Sequence, residues 1–341
     1  MMKLRLGVAA AVAVFFLAPF SNSVLAGAHG LQGKTVRFIA GAGAGGGYDA
    51  YARLLAPLFA KQLKASVVVE NQPGAGGLVA LNRFYKGPGD GLQLLIVNGT
   101  GAGLTQVLGM KEARYDLTKL KQLGIIDGSL WLLLMRPNSP VTNLKDMISS
   151  KKQLAFGGSG KVSGLTDGAK IACFVLKANC KVVFGYKGSS AVSLAVEQGE
   201  MDGMYVSETS AFKFTKAGRV KPIGTWSRQR SKLFPQIPTV FEQVKLTKEQ
   251  EWWVDYRATI ESLGRMLVLP PAAPKQVVDM YRNATHNILS DPKVVAAFAK
   301  KRREIEYVPA PKVEIMLDKV LGSVTNAQKQ KLREVILGSK S

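Results

Sequence analysis

Short apolar runs, glycine-rich loops and helix-like segments follow one another along the chain. The first unit has an apolar run at 35–40, a glycine-rich loop at 41–47 and a longer segment at 49–63. Apolar residues recur in that segment at three- or four-residue spacing, which predicts a strand followed by an amphipathic helix. Pro57 lies inside the segment, so the sequence also predicts a kink or an interruption of this helix.

Two further units repeat this order. A strand-like run at 66–70 leads into a glycine-rich loop at 71–77, and another run at 92–97 ends in a short loop at 98–101. Successive β–α units predict a parallel, doubly wound sheet. Ligands of such sheets bind at the carboxyl ends of the strands, so the three loops are expected at one binding edge.

A second series of strand-like runs begins near residue 125 and predicts a second lobe. Its apolar runs lie at 130–135, 153–156, 181–184 and 204–206, with a return strand at 220–225. We therefore expect an α/β protein of two lobes, each a doubly wound, mainly parallel sheet flanked by helices. Lobe I is expected to comprise residues 27–125 plus 228–341, and lobe II residues 126–227.

The first 26 residues have the pattern of a signal peptide. Lys3 and Arg5 precede an apolar stretch at 6–20, and small residues stand before a cleavage position after Ala26. The stretch is short for a membrane span, although a membrane anchor is the alternative interpretation. We therefore expect export across a bacterial inner membrane to the periplasm.

The charge of the chain favours small anions as partners. Its 46 Lys and Arg against 24 Asp and Glu give a formal net charge of +22. These residues are spread thinly except at 300–303, which disfavours nucleic-acid binding and fits a field that attracts small anions. Two Cys and two His exclude zinc and iron–sulfur clusters built from these ligands, and leave few nucleophile–base pairs. We expect no metal, no cofactor and no catalysis.

The glycine-rich loops have a common physical interpretation. A loop that enters a helix presents free backbone N–H groups and the positive end of the helix dipole, which together form an anion site. Hydroxyl groups in the loops of both series add candidate donors: Thr100, Ser159, Ser163, Ser189 and Ser190. The alternative is that these loops are ordinary turns and caps.

A dinucleotide site is the sharpest alternative. Gly41, Gly43 and Gly46 satisfy the G-x-G-x-x-G pattern between a strand and a helix, and Glu70 ends the next strand, where a ribose-binding acid is expected. This pattern indicates an exported oxidoreductase that uses a nicotinamide or flavin. The second glycine-rich loop, which follows Glu70, has no role in that fingerprint.

Cys173 and Cys180 are the two cysteines of the chain. They span the predicted end of a helix and the start of the next strand. In an oxidising compartment they can form a disulfide that closes this turn. The alternative is a pair of buried thiols.

Several segments resemble one known family. They are GGGYDAYAR at 45–53, VVVENQPGAGG at 67–77, YKGSS at 186–190, QGEMD at 198–202 and RSKLFPQIPTV at 230–240. Together they resemble the solute-binding proteins of tripartite tricarboxylate transporters, the Bug-type receptors. The resemblance runs in order from about residue 34 to about residue 321.

This resemblance implies a two-lobed, periplasmic-binding-protein-like (Venus-flytrap) fold. It implies a monomeric receptor that closes around a small carboxylate and delivers it to integral-membrane permease subunits. Loops from both lobes would line the cleft, and with the hydroxyl residues above and Ser207 after the run at 204–206 they give the expected ligand-binding set: Gly46, Gly47, Tyr48, Asp49, Ala75, Gly76, Gly77, Thr100, Ser159, Ser163, Gly188, Ser189, Ser190 and Ser207.

The chain departs from the family pattern in two places. Tyr48 stands where the family usually has Ser or Thr, and the segment at 244–264 is longer than the corresponding segment of the family usually is. Within the longer part, the polar run at 245–251 indicates a connection or an insert. A tyrosine at position 48 predicts either stacking on a flat ligand or packing of the ring against its own lobe.

Overall fold

The computed structural model describes residues 30–128, 130–160, 162–301 and 303–338. The expected signal peptide and its cleavage position after Ala26 lie outside the described residues. No helix within these ranges has both the length and the apolar character that a membrane span requires.

Eleven strands form two separate sheets in the described chain. In chain order they are β1 (Thr35–Ala40), β2 (Ser66–Asn71), β3 (Gln93–Asn98), β4 (Lys121–Ile125), β5 (Trp131–Met135), β6 (Leu154–Gly158), β7 (Cys180–Phe184), β8 (Gly203–Ser207), β9 (Lys221–Thr225), β10 (Arg265–Leu269) and β11 (Val308–Pro309). The six-stranded sheet has the order β11-β4-β10-β3-β1-β2, and the five-stranded sheet has the order β7-β6-β8-β5-β9.

Helices cover the faces of both sheets. They are α1 (Gly47–Leu63), α2 (Leu78–Tyr85), α3 (Gly99–Val107), α4 (Leu144–Ser149), α5 (Gly164–Leu176), α6 (Ser189–Glu197), α7 (Glu208–Lys216), α8 (Val240–Gln243), α9 (Lys248–Glu261), α10 (Lys275–Leu289), α11 (Pro292–Lys300), α12 (Ala310–Gly322) and α13 (Asn326–Leu337). A short 3₁₀ turn at Ala75–Gly77 precedes α2.

Both sheets are mixed in direction. β1 pairs in parallel with β2 and β3, and β6 pairs in parallel with β7 and β8. β10 pairs antiparallel with β3 and β4, β11 pairs antiparallel with β4, and β5 pairs antiparallel with β8 and β9, so neither sheet is mainly parallel, contrary to the expectation. The carboxyl ends of β1, β2 and β3 therefore meet at one edge, where the sequence places its glycine-rich loops.

The two sheets use different parts of the chain. All strands of the first sheet come from residues 35–125 and 265–309, and all strands of the second from 131–225. The expected lobe boundary at 125/126 falls between β4 and β5. The expected boundary at 227/228 stays a prediction, because α8 still contacts the second sheet through a hydrogen bond from Gln243 Nε2 to the Ile223 carbonyl.

The expected interruption at Pro57 is wrong. Helix α1 continues from Gly47 to Leu63 with Pro57 inside it. Pro57 lies on the exposed face, where water can hydrogen-bond the carbonyl that loses its partner, while Leu55 and Phe59 are fully buried. Packing of the buried face therefore outweighs the missing backbone hydrogen bond.

The segment at 245–251 is also not a plain connection. Helix α9 begins at Lys248, and Thr247 and Gln250 form a capping box at its start. Its apolar side includes Trp253, Val254 and Ile260, all almost completely buried. These residues belong to a hydrophobic cluster that reaches from the first sheet through α9 to α5 and the second sheet.

The guanidinium of Arg257 lies at the junction where α9 meets α5 and the second sheet. Arg257 of α9 is completely buried, with Nη2 2.9 Å from Asp167 of α5 and Nε 2.8 Å from Glu261. Nη2 also donates a hydrogen bond to the Gly164 carbonyl at the start of α5, and the Tyr205 hydroxyl donates one to Glu261. Burial raises the pKa of Glu261 to about 7 against the opposing effect of Arg257. These ion pairs and hydrogen bonds of Arg257 and Glu261 join α9 to α5 and the second sheet.

Cys173 and Cys180 form a disulfide across the turn between α5 and β7, with their Cα atoms 6.2 Å apart. The described chain holds no free cysteine. The bond joins the end of α5 to an edge strand of the second sheet.

Replacing Arg257 by Met tests this junction. The change leaves Asp167 and Glu261 buried without their cation, so we expect unfolding free energy to fall by about 3 kcal/mol or more. The matched control is Arg37→Met, which removes an ion pair with Glu70 in which both side chains are nearly half exposed. That control is expected to cost about 1 kcal/mol or less. Urea unfolding followed by tryptophan fluorescence measures both, and equal losses would contradict a central role for Arg257.

Candidate functional site

A cavity of about 320 Å³ lies at the carboxyl edge of the first sheet. It is lined by the loops after β1 and β2, by the end of β3 and by the first turns of α1, α2 and α3: Gly41, Ala42, Tyr48, Pro73, Gly74, Gly76, Gly77, Leu78, Leu81, Leu95, Ile96, Val97, Asn98 and Ala102. The volume is within the range of small-molecule sites. Tyr48, Gly76 and Gly77 of the expected ligand-binding set therefore lie around one cavity.

Close contact between two glycines shapes the cavity. A Cβ atom placed on Gly41 would lie 2.8 Å from the Gly77 Cα, and one on Gly77 would lie 3.3 Å from the Gly41 carbonyl oxygen. Gly77 also has φ of 97°, a conformation that favours glycine. The loop after β1 thus packs directly on the loop after β2.

The carboxylate of Asp49 is used within the first loop. Its Oδ2 accepts hydrogen bonds from the Gly45 backbone N–H and from Arg53 Nε, and the side chain is almost completely buried. Arg53 also donates to Asn71, whose Nδ2 donates to the Ala42 carbonyl. These bonds lower the pKa of Asp49 against the effect of burial. Asp49 therefore supports the loop, and its negative charge is ill suited to contact an anion.

Tyr48 lines the cavity and packs against its own lobe. The half-buried ring contacts the hydrophobic cluster around β1 and α1. The guanidinium of Arg265 lies 5.1 Å from its ring centre and 4.7 Å from that of Tyr51. Desolvation raises the pKa of Tyr48 to about 12, so the hydroxyl is neutral at physiological pH.

Arg265 is a candidate residue that the sequence analysis missed. It is the first residue of β10, and its Nη1 lies 2.5 Å from Asp127 Oδ2. A Cβ on Gly47 would lie 3.4 Å from Arg265 Nη2, so this glycine brings the loop close to the cation. Burial opposes the charged form, but Asp127 outweighs that effect and raises the pKa of Arg265. No local motif marks the residue, because its neighbours Tyr48 and Asp127 are far away in sequence.

The helix starts around the first-lobe cavity differ in how they are capped. Gly46 and Gly77 precede α1 and α2 and offer no side-chain hydrogen bond to the first turn. Asn98, by contrast, caps α3 by accepting from the Gly101 N–H. At α2 the Leu78 N–H donates to the Ala75 carbonyl and the Val79 N–H to the Gly74 carbonyl, so α1 is the helix start that offers N–H groups to an anion here. Thr100 lies buried in the first turn of α3.

The expected hydroxyl residues of the second lobe form local networks. Ser159 Oγ donates to Ser163 Oγ at 2.9 Å, and Ser163 bonds Thr166 and caps α5. Ser207 Oγ donates to Ser210 Oγ near the start of α7. Glycine again precedes α6: Gly188, with φ of 131°, stands before Ser189 and Ser190. None of these residues lines the first-lobe cavity.

The acid of the dinucleotide pattern has another partner. Glu70 Oε2 lies 2.7 Å from Arg37 Nε, and Glu70 Oε1 accepts from Gln72 Nε2. Gly43 has open space where a Cβ would be, whereas Gly41 is held by its contact with Gly77. Contact between loops thus explains Gly41, whereas a Cβ on Gly46 would meet only its own loop, at 3.1 Å from the Gly43 carbonyl oxygen. Among the described residues, no group of three or more His, Cys, Asp or Glu side chains is placed to hold a metal ion.

Most of the chain matches one family model. A family model described as "Tripartite tricarboxylate transporter family receptor" matches residues 51–318. A UPF0065 protein of Bordetella pertussis strain Tohama I is 28% identical over 266 residues, which are 77% of this chain and 78% of that protein.

Solved structures share the fold. MatC of Rhodopseudomonas palustris with bound malate has a TM-score of 0.68 and 22% identity, and the match covers 89% of this chain and 99% of that one. Rpa4515 of R. palustris with adipate has a TM-score of 0.71 and 18% identity, with 89% and 97% covered. The expected two-lobed, periplasmic-binding-protein-like α/β fold is confirmed.

Two glycine substitutions separate loop packing from nucleotide binding. Gly41→Ala places a methyl group against the Gly77 backbone, so we expect it to lower unfolding free energy by about 1–3 kcal/mol. Gly43→Ala enters open space and is expected to cost about 0.5 kcal/mol or less. Chemical unfolding of both variants measures the difference. A dinucleotide site would instead need the second glycine, and measurable NAD or FAD binding that Gly43→Ala abolishes would contradict the loop-packing explanation.

Proposed function

Because the chain belongs to the tripartite tricarboxylate transporter receptor family, we propose that it is a periplasmic solute receptor. In this proposal it binds a small organic carboxylate between its two lobes and delivers it to the integral-membrane subunits of a transporter of that type. The receptor is a monomer without a metal, a cofactor or a nucleic-acid partner. The ligand-binding loops are those of the expected set, joined by Arg265.

The observation that carries this proposal is the chemistry of the first-lobe edge. The glycine-preceded start of α1 and the glycine-rich turn before α2 meet at a cavity whose described lining has no charged side chain. Backbone N–H groups at helix starts bind anions without a counter-charge. The bound malate and adipate of MatC and Rpa4515 are carboxylates, and the excess of Lys and Arg over Asp and Glu in this chain attracts such ligands.

Ligand capture works by population shift. Only the closed arrangement brings the second-lobe loops at Ser159 and Gly188 against a ligand held by the first lobe, so binding favours that arrangement. This role needs no nucleophile or general base. The disulfide between Cys173 and Cys180 fits an oxidising compartment, which supports export.

A thermal-shift screen tests the receptor function. We expect mono-, di- or tricarboxylates to stabilise the protein without being consumed, by about 2.7 kcal/mol at a concentration of 100 times Kd. Amino acids, NAD and FAD serve as comparison compounds. Stabilisation by NAD or FAD together with no response to any carboxylate would favour the oxidoreductase alternative and overturn the proposal.

Substitution of Tyr48 tests whether its ring contacts the ligand. Tyr48→Phe is expected to keep the affinity for the carboxylate found in the screen, because the ring remains. Tyr48→Ala is expected to weaken binding by about tenfold, or about 1.4 kcal/mol. Isothermal titration measures both variants. If Tyr48→Ala stays within about twofold of the original affinity, the ring serves only to pack against its own lobe.

A further inference from the structure

The first-lobe cavity has an apolar floor. Leu81, Leu95, Val97 and Ala102 form it, and each is at most 4% exposed. Of the described lining residues only Asn98 and Tyr48 have polar side-chain atoms, and none is charged. The side chains of Leu81, Leu95, Val97 and Ala102 offer a carboxylate no hydrogen-bond donor in exchange for its lost hydration, whereas an apolar group against them is favourable.

The mouth of the cavity has the opposite character. Pro73 and Gly76 are exposed there, and Tyr48 is half buried. The glycine-preceded start of α1 provides N–H groups without side-chain acceptors, and the guanidinium of Arg265, which is paired with Asp127, lies beside the Tyr48 ring. One negative charge is therefore favoured at the mouth, where water and backbone donors are both within reach.

These two halves select a class of ligand. We propose that the receptor binds a monocarboxylate with a compact apolar body of about the size of benzoate. The body lies on the floor formed by Leu81, Leu95 and Val97, and the carboxylate lies at the mouth near Gly76 and Tyr48. A planar body gains further contact with the Tyr48 ring. This inference rests on the proposed receptor function and adds the substrate class to it.

A comparison of the affinities of four acids tests the proposed ligand class. The purified protein is titrated calorimetrically with benzoate, cyclohexanecarboxylate, succinate and citrate. Benzoate is expected to bind at least about tenfold more tightly than succinate or citrate, because the second carboxylate of either acid meets the apolar floor. The affinity for cyclohexanecarboxylate is expected to lie between that for benzoate and those for succinate and citrate, since this acid keeps the apolar body but not the flat ring.

A matched pair of loop variants tests whether benzoate binds in the first-lobe cavity. Ala42 lines the cavity and Ala44, two residues along the same loop, is exposed and does not. Ala42→Leu extends a side chain into the cavity and is expected to weaken benzoate binding by about tenfold or more. Ala44→Leu is expected to leave the affinity within about twofold. If Ala42→Leu does not fold, Leu78→Ala replaces it, because losing this half-buried contact is also expected to weaken benzoate binding.

The outcomes separate this inference from the receptor function. Tighter binding of succinate or citrate than of benzoate overturns the substrate class and leaves the receptor function in place. Benzoate binding that the cavity variant (Ala42→Leu, or Leu78→Ala in its place) leaves within about twofold puts the ligand outside the cavity and also overturns the inference. No response to any carboxylate contradicts the receptor function and the inference together.

Discussion

The buried guanidinium of Arg257 holds the central junction of the molecule together. It pairs with Asp167 at the start of α5 and with Glu261 at the end of α9. The chain then passes within a few residues to Arg265, which lies beside Tyr48 in the first-lobe loop. A charge that is fully desolvated requires such partners, so α9 is fixed between the second sheet and the binding edge of the first.

Backbone geometry gives the proposed binding edge of the first sheet its chemistry. The contact of Gly41 with Gly77 brings two loops together, and glycine before α1 leaves the first-turn N–H groups of that helix without side-chain acceptors. Asp49 and Arg53 stabilise the first loop from behind. Anion recognition can therefore come from dipoles and one nearby arginine, while aliphatic side chains select the rest of the ligand.

The two kinds of capping divide the expected hydroxyl residues. Ser163 is an N-cap and Ser159 donates to it, so both hydroxyls already have partners within their own lobe. Gly188 before α6 leaves that helix start open in the same way as Gly46 does for α1. Of the second-lobe loops, the one at Gly188 to Ser190 is thus the better placed to receive an anion.

Local sequence determined the strands, the glycine-rich loops and the family resemblance. The run at 35–40 coincides with β1, because apolar periodicity and flanking glycines act within a few residues. Only tertiary structure decided that α1 passes through Pro57, that a polar segment forms α9, and that Arg257 and Arg265 are central. Each depends on contacts distant in sequence, such as Arg257 with Asp167, and burial against those partners outweighs local propensity.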